Sequence, residues 1–232
     1  MLSLYEIVRY KEGDKMRDTV IFDMDGVLID SQQMHFNIDM EALRASGASP
    51  VLADAERLAG VAIKDRSIDY IQKYRLNQSV DDFIRSHAII LMKVFKESTL
   101  VPVRGIPELL YKLNAAGVKT AVASSSSMPL ITLILDKLRI RQYFNAVVTS
   151  EDARNGKPAP DVFILAAGSV NSPPCNCIVI EDSTSGVIAA KQAGMRCIAY
   201  KNPTSGSQDL SGADLIINSF SQLNKSLGWL ND

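Results

Sequence analysis

Two aspartates one residue apart close an apolar run, Val20-Ile21-Phe22-Asp23-Met24-Asp25-Gly26-Val27. The run is β-branched and aromatic, the composition of a buried strand. Asp23 and Asp25 are therefore expected at the carboxyl edge of a sheet, with Gly26 letting the chain turn sharply beyond them. That edge is where open α/β sheets bind ligands. Two carboxylates this close repel unless a cation or a shared proton relieves them. Taken alone, an Asp-x-Asp pair is equally the composition of a solvated acidic turn.

Polar groups recur at the ends of three later apolar runs. Ala121-Val122-Ala123 leads into Ser124-Ser125-Ser126-Ser127, and Gly156-Lys157-Pro158-Ala159-Pro160-Asp161 follows Val147-Val148. Ile178-Val179-Ile180 runs straight into Glu181-Asp182-Ser183. An acid pair, a hydroxyl cluster, a lysine and a second acid pair are the groups that hold a phosphate beside a divalent cation. There is no Gly-x-x-x-x-Gly-Lys-[Ser/Thr], and no Gly-x-Gly-x-x-Gly follows a strand. A P-loop nucleoside triphosphatase or a dinucleotide dehydrogenase is not expected.

In this order the four segments resemble the haloacid dehalogenase (HAD) superfamily of phosphohydrolases, most closely the branch of β-phosphoglucomutase and the small sugar-phosphate phosphatases. The likeness is carried by Phe22 to Ser31, by Ser124, by Gly156 to Asp161, and by Ile180 to Ser183 with Gly186, Ala189-Ala190 and Ala193-Gly194-Met195. It spans 19–218. A carboxylate can accept a phosphoryl group and split one hard transfer into two easier ones, and the resemblance gives that nucleophilic role to Asp23. Asp25 is the corresponding general acid/base, a function that typically contributes about 10²–10⁴-fold. Its presence favours ester hydrolysis or phosphomutation over dehalogenation. The implied cofactor is Mg²⁺, which suits oxygen-only ligands with open water positions. Asp23, Asp25 (through its backbone carbonyl), Glu181 and Asp182 form the implied metal set, Glu181 either ligating or orienting a metal-bound water. Glu181-Asp182 has a second reading, as acids at the positive end of a helix. Phosphate binding is expected of Ser124, of the backbone near Ser125, and of Lys157, with Pro158 and Pro160 fixing where that lysine points.

Alternation of helical and apolar segments supports an α/β fold, a Rossmann-like parallel sheet with helices on both faces. From Val101 onward, apolar runs at 118–123, 146–149, 177–180, 196–200 and 214–217 alternate with helical patterns at 129–138, 161–169, 184–193 and 219–228. Pro107 opens a helix that Gly117 ends. Residues 32–98 contain no convincing strand; helices are expected over 34–45, 63–74 and 80–96. Phe83, Ile84, Ala88, Leu91, Met92 and Phe95 line one face of the last. The catalytic core is thus 18–31 and 99–232. By resemblance, 32–98 is a mobile helical cap hinged at 30–32 and 99–102, whose closure excludes water. Residues 1–17 fall outside the pattern and are expected to be an extension, possibly poorly ordered.

The cap must separate phosphatase from mutase, because the core motifs serve both. His35 stands where the mutases carry a histidine that couples cap closure to the acid/base aspartate. Ile63 takes the place of the arginine with which they grip a second phosphate, leaving Lys64 or Arg66 as substitutes only if the register slips. Near Ile90 a mutase lysine is also missing. Loss of a bidentate arginine argues against a bisphosphate. The expected activity is an Mg²⁺-dependent phosphatase of a small phosphorylated metabolite, a sugar phosphate first. The alternative is a β-phosphoglucomutase interconverting β-glucose 1-phosphate and glucose 6-phosphate.

The whole chain narrows the remaining classes. With 232 residues and 47% apolar composition it can fill one large core or one with a modest insert. Its 25 basic and 26 acidic residues nearly cancel, so no nucleic-acid-binding face is implied. No run approaches the roughly 20 apolar residues of a membrane span, and charges interrupt the start before any secretory apolar core forms. A cytoplasmic protein without a membrane partner is expected; oligomeric state is not addressed. Cys175, Cys177 and Cys197 lack a completing pair or spaced histidine for zinc and are expected to be structural or incidental thiols.

Overall fold

The computed structural model describes residues 18–58 and 61–226. The expected extension over 1–17 and the Ala59-Gly60 pair lie outside the described residues. The strands are β1 (Thr19–Phe22), β2 (Lys119–Ser124), β3 (Ala146–Thr149), β4 (Cys177–Glu181), β5 (Arg196–Tyr200) and β6 (Leu215–Ile217). They form one parallel sheet in the order β3-β2-β1-β4-β5-β6. The chain builds outward from β1 on one side, then returns to start β4 on the other. The order therefore reverses between β1 and β4, the switch point at which such sheets leave a crevice at their carboxyl ends.

Helices cover both faces because strand side chains alternate. Val20, Phe22, Val122, Ile178, Ile180 and Ile198 face one side, against α5 (Ile106–Ala115) and α6 (Met128–Lys137). Ile21, Ala121, Ala123, Val179 and Ala199 face the other, against α7 (Asp161–Ser169) and α8 (Thr184–Gln192). The second face is rich in alanine from both layers, which lets those helices approach closely. A short α9 (Ser221–Ser226) follows β6.

Between β1 and β2 the chain forms an all-helical insert: α1 (Gln32–Ala45), α2 (Leu52–Arg57), α3 (Ile63–Tyr74) and α4 (Val80–Glu97). The six-residue α2 is an element the sequence pattern did not suggest, being too short to carry a helical period. It is held by Asp54, whose carboxylate accepts hydrogen bonds from Lys73 and Tyr74 of α3. The insert has its own apolar centre in Ala42, Leu43, Leu58, Tyr70 and Phe83. It is also joined to the sheet layer, because Ile38 and Phe95 belong to the core beneath it. At the C-terminal end of α4 the Lys137 ammonium donates to the carbonyls of Phe95, Lys96 and Ser98 at 3.0, 2.6 and 2.6 Å. A cation there satisfies carbonyls that the helix leaves unpaired and complements its dipole.

A buried polar cluster ties three insert helices together. Asp39, fully buried on α1, accepts from His87 Nε2 of α4 at 2.8 Å and from Tyr70 of α3 at 2.8 Å, with Arg66 Nη1 at 3.3 Å. Burial pushes the Asp39 carboxyl up, but the His87 hydrogen bond, the Arg66 charge and the Tyr70 hydroxyl outweigh it and hold the group below its ordinary 3.8. A carboxyl depressed on folding adds stability above the unfolded value and loses it as pH falls through the folded value. Urea unfolding of the wild type is therefore expected to weaken between pH 5 and pH 3 more than that of Asp39→Asn. Equal acid sensitivity in the two proteins would exclude this contribution.

Candidate active site

The parallel register determines what meets at the switch point. Phe22 pairs with Val122 on one side and Ile180 on the other, and the Asp23 N–H continues the ladder to the Ile180 carbonyl at 2.9 Å. Asp23 therefore leaves the sheet beside Ser124 at the end of β2 and Glu181-Asp182 at the end of β4. The four groups singled out in the sequence converge here. Lys157 Nζ lies 2.5 Å from Asp23 Oδ1 and 2.7 Å from Glu181 Oε1, and 4.8 Å from the centre of the Phe163 ring. The aromatic face adds a cation–π attraction to a lysine whose side chain is 6% exposed.

Asp23 and Asp25 differ in environment. Asp25 Oδ1 accepts from Ser31 Oγ at 2.6 Å and meets His35 Nε2 at 3.2 Å, while Oδ2 accepts from Ser126 Oγ at 3.0 Å. Burial pushes this carboxyl up, but His35 and the two hydroxyls overcome it and lower the value; a side chain 29% exposed feels the burial penalty less. Asp23 goes the other way. Burial raises it first, Lys157 opposes, and the charges of Glu181, Asp182 and Asp25 raise it further. Burial and then Glu181 push Asp182 up to about 7. Burial opposes the Lys157 charge, yet contact with Asp23 and Glu181 raises its value. For Asp23 and Asp182, burial and neighbouring carboxylates act together, and Lys157 offsets them only in part.

Two glycines make the crowding sterically feasible. Gly26 turns at φ +85°, and a Cβ there would stand 1.9 Å from Asp182 Oδ2. A Cβ on Gly186 would stand 1.8 Å from Glu181 Oε1. Asp182 thus presses on the loop carrying Asp25, and Glu181 folds under the first turn of α8. Glu181 Oε2 accepts from the N–H groups of Asp182 and Ser183 at 2.7 and 2.8 Å and from Ser183 Oγ at 3.0 Å. With Oε1 on Lys157, both its oxygens are engaged, which suits an orienting rather than a ligating role. Ser183 caps α8 by accepting from Gly186 N at 3.1 Å.

Ser124 is buried and its Oγ accepts from Ser126 N at 3.1 Å; the Ser125 side chain is exposed. His35 reaches Asp25 from the insert and its ring lies 5.6 Å from that of Phe95. Lys64 is exposed, and Arg66 is turned to Asp39. The sequence reading missed the hydroxyls of Ser31 and Ser126. Ser31 was visible inside the first motif, but four consecutive serines gave no sign that the third would reach Asp25.

Among the described residues no three His, Cys, Asp or Glu side chains converge as a preformed metal cage. The donor chemistry nonetheless fits a hard divalent cation. Asp23 and Asp182 are buried, oxygen-only and short of positive charge, and Mg²⁺ binds through one or two carboxylates while retaining several waters.

Known proteins resemble this chain over most of its length. β-Phosphoglucomutase of Bacillus subtilis is 32% identical over 220 residues, covering 90% of this chain and 92% of that protein. A phosphorylated carbohydrates phosphatase of Thermotoga maritima is 31% identical over 182 residues, covering 78% and 83%. The crystal structure of CbbY from Rhodobacter sphaeroides in complex with phosphate superposes with a TM-score of 0.80 at 25% identity, over 90% of this chain and 96% of that one. The family model for haloacid dehalogenase-like hydrolases matches residues 20–200. That span holds the Asp23–Asp25 segment, the helical insert, the serine and lysine segments and the second acid pair, and the chain belongs to this hydrolase family.

Proposed function

We propose that the protein is an Mg²⁺-dependent phosphatase of small phosphorylated metabolites, sugar phosphates first, working through an aspartyl-phosphate on Asp23. The observation that carries this reading is the division of labour between the two aspartates. Asp23 touches the one lysine of the site, whereas Asp25 is held by Ser31, His35 and Ser126. An Asp23 carboxylate oxygen attacks phosphorus. The Asp23–phosphorus bond forms as the ester P–O bond breaks, and the leaving oxygen takes a proton from Asp25. Water then attacks the aspartyl-phosphate, Asp25 takes back a proton, and Asp23 and inorganic phosphate are released. Against the upward push of burial, His35, Ser31 and Ser126 lower the Asp25 carboxyl, so its exchange of protons with substrate and water depends on these three partners. Lys157 and Ser124 bind phosphoryl oxygens. Asp23, Asp182 and the Asp25 backbone carbonyl would hold Mg²⁺, which would supply neutralisation of phosphoryl charge there.

Residues 32–98 act in this reading as a cap that covers the site, with crossings at 30–32 and 99–102. His35 joins the cap to the acid/base, so the position of the cap bears on the protonation of Asp25. A cavity of about 370 Å³ lies at those crossings, between Ile29, Asp30, Met34, Leu100, Arg104 and Thr204. It leaves room for the crossings to flex. The mutase alternative is less well supported, despite its likeness to a β-phosphoglucomutase. Ile63 offers no charge, and Arg66 is spent on Asp39 inside the insert. The names of relatives such as the phosphorylated carbohydrates phosphatase support the substrate class.

The first test is phosphate release with Mg²⁺ from a panel of sugar phosphates, with β-glucose 1-phosphate plus trace bisphosphate followed in parallel for glucose 6-phosphate. Steady phosphate release from one or a few esters is expected. Glucose 6-phosphate accumulating with negligible release would establish the mutase instead. Asp23→Asn should lower kcat by on the order of 10³-fold or more, and full activity in that variant would refute the nucleophile. Asp25→Asn should cost about 10²–10⁴-fold, measured with the same assay.

A further inference from the structure

The loop after β5 is bound to both acid-bearing loops of the site. Asn202, buried, donates through Nδ2 to the Gly26 carbonyl at 3.1 Å, holding the turn just after Asp25. Thr204 Oγ1 donates to Asp30 Oδ1 at 2.5 Å. Ser205 Oγ, 7% exposed, donates to Asp182 Oδ2. Gln208 Oε1 accepts from Thr184 N at 2.9 Å at the start of α8, and Gln208 Nε2 returns to the Ser205 carbonyl at 3.0 Å. One short loop therefore brackets the β1 and β4 ends from outside, and one of its hydroxyls ends on a candidate metal carboxylate.

We infer that Ser205 is a positioning residue for Asp182: it fixes the carboxylate with Oδ2 occupied and leaves Oδ1 for the cation. A buried carboxylate beside Glu181 and Asp25 otherwise rotates to relieve repulsion. The Gly26 backbone closes one side of Asp182, at a distance that would not admit a Cβ, and Ser205 closes another. The side chain is thus trapped between a glycine on the nucleophile loop and a hydroxyl on the β5 loop. Outer partners of metal ligands typically alter affinity by about 10–100-fold. The inference rests on the Mg²⁺ reading of the site.

The test is Mg²⁺ binding followed by titration calorimetry on the full chain without substrate, using wild type, Ser205→Ala, Ser205→Thr and Gln208→Ala. Circular dichroism melts confirm that each variant is folded. Ser205→Ala is expected to weaken Mg²⁺ about tenfold, with Ser205→Thr returning within about twofold of wild type because it restores the hydroxyl. Gln208→Ala, which loosens the loop without touching Asp182, should stay within about twofold. Wild-type affinity in Ser205→Ala overturns the inference, and so does an equal loss in Gln208→Ala, which would assign the effect to loop order. Absence of Mg²⁺ binding in the wild type overturns the metal reading and this inference with it. Phosphate release that persists in EDTA would then show the phosphatase reading surviving alone.

Discussion

The collection of negative charge at one edge of a parallel sheet constrains everything else here. Asp23, Asp25, Glu181 and Asp182 stand at adjoining strand ends because β1 and β4 are neighbours with Phe22 opposite Ile180. Like charges at this range disfavour one another. The surrounding structure reads as a set of answers to that repulsion. Lys157 lies between Asp23 and Glu181, Glu181 is drawn to backbone N–H groups, and Asp25 is taken by two hydroxyls and an imidazole. Asp182 takes one hydroxyl, and burial with the charge of Glu181 raises it to about 7.

The rest of the fold gives this charge cluster its rigidity. Strands buried on both faces cannot shift register without exposing apolar side chains, so the acids at their ends keep their spacing. The two close glycines work in the same direction, since they let carboxylates approach backbone where any side chain would collide. The helical insert contributes differently. It has its own apolar centre and a buried Asp39 cluster, yet it reaches Asp25 through His35 and is fastened at α4 by Lys137. Under the proposed reading, a unit with its own apolar centre, attached at two crossings, would cover the site by moving as a body.

Much of this was legible before any coordinates. The β-branched run before Asp23, the apolar runs at 118–123 and 177–180, and the amphipathic spacing of Phe83 to Phe95 each impose a local structure by period alone. Asp23, Asp25, Ser124, Glu181 and Asp182 were recognisable because they end such runs, and strand ends of a parallel sheet share one edge; Lys157, in the segment after Val147-Val148, was recognisable from its resemblance to the family motif. The short α2 was not, because six residues hold less than two helical turns. Nor was the role of Ser126 among four serines, or of Ser205 in a loop with no period.

The amino-acid sequence by itself determined the family, the alternation of strands and helices, and the residues at the carboxyl edge, since these depend on order and local pattern. Tertiary structure alone decided the partners. That Arg66 is consumed by Asp39, that Glu181 turns under α8 instead of outward, and that a loop 23 residues after Asp182 supplies its hydroxyl are consequences of packing between distant segments. Side-chain direction and competition for a buried charge exist only once the chain is folded, because each hydrogen bond is chosen against the others available in the same small volume.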